Sequence, residues 1–368
     1  GYNSIAFDEA MMRQMFYQNL QPNIFATQFH NNTRLDVMKM VFAVHAEEPH
    51  ILKWPINAKG KVNFKLDQLA PENGFRAHNA HDALGDVEAT IFIVDKIKKQ
   101  CPDLYQKLFD ARDKERNLQL LKSFAPVEVT LRFGGSSPKT YTGCYCGLSK
   151  NSKNMVGFFD LEKPDPMELI HGTQQDVLDA MTKSPQRIRS LRLNQAETIR
   201  PASISNPEWR HTCDVIKDET AFQTVVSECL ADKYPQTEDT DSVVEEKIFD
   251  GFYSNHDKTL LEQFQTCSWK ERLTLLNDAQ DNRIQQLGHR LIAFNAMHLL
   301  DPKYIARAQE FIVEKWAASE TEANWNTIAS VQRQLLELEE DGFDKILLDE
   351  MKTFYQDRIE AQGCSFDF

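Results

Sequence analysis

The chain has 368 residues, 41% hydrophobic and 26% charged, with a formal net charge of −13. That length supports two or three domains with cores of their own, and the composition is that of a water-soluble globular protein. No apolar run reaches the roughly 18 residues of a membrane span, and the start, GYNSIAFDEA, has neither the basic nor the apolar region of a signal peptide.

The charge is unevenly spread. Residues 1–100 carry 11 Lys+Arg and 11 Asp+Glu, residues 101–235 carry 18 and 18, and residues 236–368 carry 13 and 26, so the whole excess of acid sits in the last third. Local potential, not whole-chain charge, decides phosphate binding. The first two-thirds therefore stay open to a polyanion and the last third does not. The seven cysteines are scattered and odd in number, which suits a reducing cytoplasm better than a disulfide framework. Cys144 and Cys146 form C-x-C without a second pair at zinc spacing.

In chain order, Tyr2, Ile5 and Phe7 suggest a short strand, and from Glu9 the spacing of Met11, Met12, Met15 and Phe16 turns helical. Asp8 stands at the handover, where an N-cap is the ordinary role. Residues 22–34 read as loop and Leu35–His45 as a helix, with His45 and His50 as surface histidines. Lysines 53, 59, 61 and 65 fall in a stretch free of acid, either a solvated loop or a cationic rim for phosphates. A short helix is expected over Phe64–Asn73. A longer one follows His81 and Asp86, reaches Ile97 and ends in lysines that complement its dipole. Cys101-Pro102 marks a boundary, after which residues 103–121 read as one helix. Val127–Phe133, Lys139–Leu148 and Met155–Leu161 are rich in Val, Phe, Tyr and Thr and punctuated by turns, the pattern of β-hairpins in a small barrel-like domain. Lys183–Arg192 is basic without acid, a solvated face or a backbone contact. Ala231–Asp241 is a polar linker, and beyond it periodic stripes predict helices almost to the end.

Ala77–Thr90 holds the chemistry. His81 and Asp86 stand five positions apart: an imidazole able to take a proton from water and a carboxylate able to hold a hard divalent cation. Together with Asp8 in Asn-x-x-x-Phe-Asp, 73 positions earlier, this pattern resembles the second and third motifs of the DEDDh 3′→5′ exonucleases, and is similar to the exodeoxyribonuclease I family of bacteria. The likeness extends over essentially the whole chain. It implies an α/β RNase H-like nuclease domain at residues 1–100, an SH3-like β domain with flanking helices at 101–235 and an all-α C-terminal domain at 236–368. It also implies single-strand-specific, Mg²⁺-dependent release of 5′-mononucleotides in DNA repair or recombination.

By the same resemblance Asp86 and Asp8 are metal ligands and His81 the base that activates water. Lys65 contacts a substrate phosphate, and Arg13 and Lys39 fall near DNA-contact positions. Two cations about 3.5–4 Å apart would clamp the attacking and leaving oxygens. The family's first motif, Asp-x-Glu on an early strand, has no counterpart at the start of this sequence. The expectation is therefore of a nuclease domain short of about one small domain's worth of N-terminal residues, with an incomplete two-metal site and weak or no cleavage. It would also expose the face of Ile5, Phe7 and the Ile91–Val94 helix. Expected partners are single-stranded DNA and the acidic C-terminal tail of a single-stranded DNA-binding protein, with no membrane, for a monomer. The alternative is a non-catalytic module binding that DNA or that tail. An oligoribonuclease-type enzyme fits less well, since those are short and lack the appended domains.

Overall fold

Helix α1 (Asp8–Gln18) begins directly after turns at residues 4–7, where Glu9 N–H donates to the Ser4 carbonyl at 2.8 Å. The short strand expected over Tyr2–Phe7 is not formed, because residues 1–8 have no neighbouring strand to pair with among the described residues. Asp8 is the first helical residue. A computed structural model describes residues 1–29, 32–75, 83–163, 166–234, 243–321, 323 and 325–361. They fall into two units: Gly1–Arg13 with Ile24–Thr240, and Gln14–Asn23 with Asp241–Phe368.

In the first unit, α2 (Val37–Glu47), α3 (Leu66–Glu72), α4 (Ala83–Gln100) and α5 (Pro102–Asp110) enclose one hydrophobic cluster. Its members include Val41, Val44, Leu69, Ala89, Ile93, Ile97 and Leu108, spaced to fall on one face of each helix. Among the described residues of this region there is no strand, only a bridge between Ile56 and Val62. Ile5 and Ile93 belong to the buried set, whereas Phe7, Val87 and Ile91 are more than half exposed, so only part of the expected apolar face is bare. His45 is not a surface residue. It meets Trp54 and Phe64 edge-on at 4.8 and 5.1 Å, and burial together with Arg132 lowers its pKa.

The helix expected over 103–121 is two, α5 and α6 (Lys114–Lys122). The Asp113 carboxylate accepts from Glu115 N and Arg116 N at 2.9 and 3.1 Å, and this cap starts α6 afresh. Strands β1 (Val127–Leu131), β2 (Lys139–Leu148), β3 (Met155–Asp160), β4 (Ile188–Arg192) and β5 (Arg200–Pro201) follow. They form an antiparallel sheet in the order β4-β3-β2-β1-β5, with Val129 opposite Tyr141, Cys144 opposite Phe159 and Val156 opposite Leu191. One face packs on α8 (Gln174–Thr182), α9 (Pro207–Asp218) and α10 (Thr220–Lys233), which follow the short α7 (Met167–Ile170); the other packs on α6. Burial on both faces explains why β3 is buried along its whole length instead of alternating. A Cβ added at Gly147 or Gly157 would lie 2.8 Å from Val226 Cγ1, so glycine there lets α10 lie against the sheet.

The basic stretch at 183–192 is a solvated face only in part, at Lys183 and Arg192. Its second half is β4, with Ile188 and Leu191 buried. Arg189 is enclosed, Nη1 at 2.7 Å from Asp160 Oδ2 and its guanidinium 3.8 Å from the Tyr141 ring centre. An ion pair and a ring satisfy the charge inside the sheet, so this arginine is not a solvated face.

The second unit is helical: α11 (Asn255–Thr266), α12 (Trp269–Leu275), α13 (Asn282–Ala296), α14 (Pro302–Ala317), α15 (Ile328–Glu340) and α16 (Lys345–Ala361), with single 3₁₀ turns after α12 (Leu276–Asp278) and α13 (Met297–Leu299). Ser254, Ser268, Asp281, Asp301 and Thr327 cap five of these helices. Buried Asp257 accepts from Gln280 N and Asp281 N at 2.9 and 3.2 Å. Among the described residues, no helix is long and apolar enough to cross a membrane.

Candidate active-site cleft

Three of the residues singled out from the sequence line one open cleft of about 1100 Å³ in the first unit: Asp8, Asp86 and Lys65. They arrive from three helix starts. Asp8 opens α1, Asp86 lies in the first turn of α4, and Lys65 is the residue before α3. Met38 brings the first turn of α2 to the same cleft. Helix N-termini carry partial positive charge and unpaired N–H groups, so their convergence favours anions.

The placement of Asp8 rests on a buried latch. The Asp36 carboxylate caps α2 through Met38 N at 3.1 Å and with the same oxygen accepts from Asn3 N at 2.8 Å. Val37 N–H donates to the Gly1 carbonyl at 2.9 Å, and the Tyr2 hydroxyl donates to the Phe64 carbonyl. Asn3, with φ at +58°, makes the bend that sends the chain on to Asp8. Burial raises the pKa of Asp36 and that of the Tyr2 hydroxyl, with the N–H donors of Asn3 and Met38 opposing the shift at Asp36. Asp36→Ala leaves these donors without a partner. It is expected to cost about 1–3 kcal/mol of stability in urea unfolding and to make residues 1–8 the first site of limited proteolysis. A loss below about 0.5 kcal/mol, the range of ordinary surface substitutions, would show that the latch does not hold this segment.

Glu9 steadies the first turn of α1 from the other side. Its Oε2 lies 2.7 Å from Arg34 Nη1 and 3.6 Å from Arg13 Nη1. Arg13 is thus engaged with Glu9, and burial followed by the like charge of Arg34 lowers its pKa. Lys39 Nζ donates to the Gln195 carbonyl at 2.6 Å and pairs with Glu197 at 3.2 Å. Burial raises the pKa of Glu197, with Lys39 opposing it. Neither Arg13 nor Lys39 is among the residues lining the cleft. His81 lies outside the described residues, which resume at Ala83 on the cleft wall.

The cleft also holds residues that the sequence did not single out. Thr90 lies one turn after Asp86 and donates its hydroxyl to the Asp86 carbonyl at 2.8 Å. Arg132 reaches the cleft from the end of β1, its guanidinium 4.8 Å from the Phe64 ring centre and 5.3 Å from that of Phe42. A lone arginine before a Gly-Gly turn carries no motif, and only the meeting of β1 with α2 and with Phe64 brings it here.

The donor set decides what cation could bind. Asp8, Asp67 and Asp86 line the cleft with carboxylates, but among the described residues no three His, Cys, Asp or Glu are grouped closely enough to enclose an ion. That suits a hard cation that keeps waters and completes its shell with substrate phosphate oxygens.

Known proteins resemble the chain over much of its length. Residues 242–358 match the Exonuclease I C-terminal domain. The chain is 26% identical over 318 residues to exodeoxyribonuclease I of Buchnera aphidicola subsp. Schizaphis graminum, a match covering 82% of this chain and 65% of that protein. It thus spans just under two-thirds of that relative's length. In fold it resembles Escherichia coli exonuclease I in complex with a dA16 oligonucleotide, with a TM-score of 0.74, 23% identity, and 98% of this chain and 80% of the other covered. A crystal structure of SSB/exonuclease I with the inhibitor CFAM aligns at a TM-score of 0.70 and 21% identity, over 98% and 79% of the two chains. At these identities the structural likeness is one of fold.

Proposed function

We propose that this chain, which belongs to the bacterial exodeoxyribonuclease I family, serves a 3′→5′ exonuclease acting on single-stranded DNA and releasing 5′-mononucleotides. The observation that carries the reading is the meeting of Asp8, Asp86 and Lys65 in one cleft at the starts of three helices. These are the positions at which the second and third DEDDh motifs and a phosphate contact fall. The fold likeness to an exonuclease I solved with an oligonucleotide supports the choice of DNA. The same likeness supports an SH3-like arrangement for the sheet, while the first hundred residues, helical among those described, would supply only helices of an RNase H-like domain and none of its strands.

Asp8 and Asp86 would hold a divalent cation, for which Mg²⁺ is the natural candidate. When bound, it neutralises the phosphodiester and lowers the pKa of water. The chain's own residues do the rest. Lys65, exposed on the wall, offers its ammonium to a phosphate oxygen. His81, in the segment just before Ala83, takes the proton from the attacking water. The helix starts around the cleft add a field that favours the phosphate and opposes its departure. Arg13 and Lys39 would reach a strand only by leaving Glu9 and Glu197.

The partners proposed are single-stranded DNA and, by the SSB/exonuclease I likeness, the acidic tail of a single-stranded DNA-binding protein. The test is a degradation assay of the full chain with Mg²⁺ on 5′-labelled single-stranded DNA, duplex DNA and RNA. Binding of the single strand with at most a slow ladder shortening from its 3′ end is expected, because Asp8 and Asp86 are only part of the family's set of metal carboxylates. Tight binding of the single strand without shortening would leave the cleft a binding module, and preferential loss of RNA would overturn the choice of substrate.

A further inference from the structure

Resting on that reading of the cleft, we infer that Arg132 is a phosphate-binding residue that the β-sheet region lends to the cleft, holding the single strand next to the Lys65 position. Four observations support this. Arg132 lines the same cleft as Asp8, Asp86 and Lys65. Its guanidinium is stacked over Phe64, the residue before Lys65, and lies near Phe42. Its hydrogen bond among the described residues runs from Nε to the Ser136 carbonyl at 3.0 Å, inside the turn that follows β1. The residue is half-buried.

These contacts use one face of the guanidinium and its inner nitrogen. Among the described residues they leave the two outer nitrogens, the pair with the geometry to grip two phosphate oxygens at once. Stacking on aromatic rings strips water from one face without neutralising the charge, so the remaining donors meet a phosphate at reduced desolvation cost. The field of Arg132 is felt on the cleft wall, where it opposes the burial-driven rise of the Tyr2 hydroxyl. A guanidinium present only to glue β1 onto Phe42 and Phe64 would be replaceable by any long apolar side chain. A phosphate grip would not.

The discriminating variant is therefore Arg132→Met, which keeps a long side chain on the rings and removes the charge, with Arg132→Gln as the neutral substitute should the first fail to fold. Affinity for a dT oligonucleotide is measured against salt for wild type, the neutral variant and Arg132→Lys, with melting curves for each. The neutral variant is expected to bind about tenfold more weakly at low salt, with a log–log salt slope shallower by about 0.7, the value for one phosphate contact on a single strand. Arg132→Lys, which keeps the charge but not the fork, should keep the wild-type slope. A neutral variant that melts like wild type and keeps the full slope would overturn the assignment while leaving the nuclease reading intact. A wild-type chain that binds no single strand would overturn both.

Discussion

Asp86→Asn is expected to lower the hydrolysis of single-stranded DNA by about 10²–10³, the loss typical of removing one group that stabilises developing charge. The substitution keeps the shape of the side chain and removes its charge. Asp86 lies in the first turn of α4, where a carboxylate also favours the helix dipole by about 0.3–1 kcal/mol, so a small fall in melting temperature accompanies the loss of activity. The two effects separate by titrating Mg²⁺. If Asp86 holds the cation, the variant's residual activity requires a much higher Mg²⁺ concentration while oligonucleotide binding in its absence is unchanged. Asp8→Asn should behave alike, because both carboxylates open on the same cleft. His81→Ala should lose about 10²–10⁴ in rate through the missing proton acceptor, with the Mg²⁺ requirement unaltered. An Asp86→Asn protein with wild-type rate and Mg²⁺ dependence would sink the metal assignment.

Arg200→Ala is expected to cost about 3–5 kcal/mol of stability, the loss seen when one partner of a buried ion pair is removed. Arg200 is fully buried and joins the end of α2 to the sheet. It contacts Glu47, lies 3.5 Å from Glu128 and donates to the Thr198 carbonyl at 2.9 Å. Burial lowers its pKa, with Glu47 and Glu128 opposing the shift. Its removal leaves two carboxylates without a counter-charge, Glu47 still accepting from Thr140 at 2.7 Å and Glu128 from Ser203 N at 2.7 Å. Urea unfolding measures the loss. Replacing all three charged groups together with uncharged residues of similar size should return part of it, because the stranded charges are then gone. A single-variant loss below about 1 kcal/mol, the worth of an exposed pair, would mean that water reaches the site.

Helices of the first unit were legible wherever an apolar stripe coincided with a stop or start signal, as in α4, which ends in lysines, and α5, which begins at Pro102. Strands β1 to β3 were legible from β-branched and aromatic runs between turns. The misses share one cause, a local pattern whose outcome is set by distant partners. Tyr2, Ile5 and Phe7 are apolar like a strand's residues, but a strand needs a neighbour, and Asp36 and Phe64 take the backbone and side-chain bonds of this segment instead. Arg189 reads as surface until Asp160 and Tyr141 close round it. Asp8, Asp86 and Lys65 were found because they follow a motif or stand at a spacing. Arg132 could not be, because its role arises from β1 ending beside Phe64.

The latch at Asp36 has a consequence for motion. Residues 1–8 are held by a few hydrogen bonds and the buried side chain of Ile5, with no sheet ladder to share the load among the described residues. Their release therefore costs far less than unfolding the cluster beneath them, and amide hydrogens here should exchange through local opening while those of Val41 and Ile93 wait for the whole unit. Each opening carries Asp8 away from Asp86. The fraction of time for which both carboxylates are in place, and hence the apparent affinity for a cation they share, is thus set by a local equilibrium.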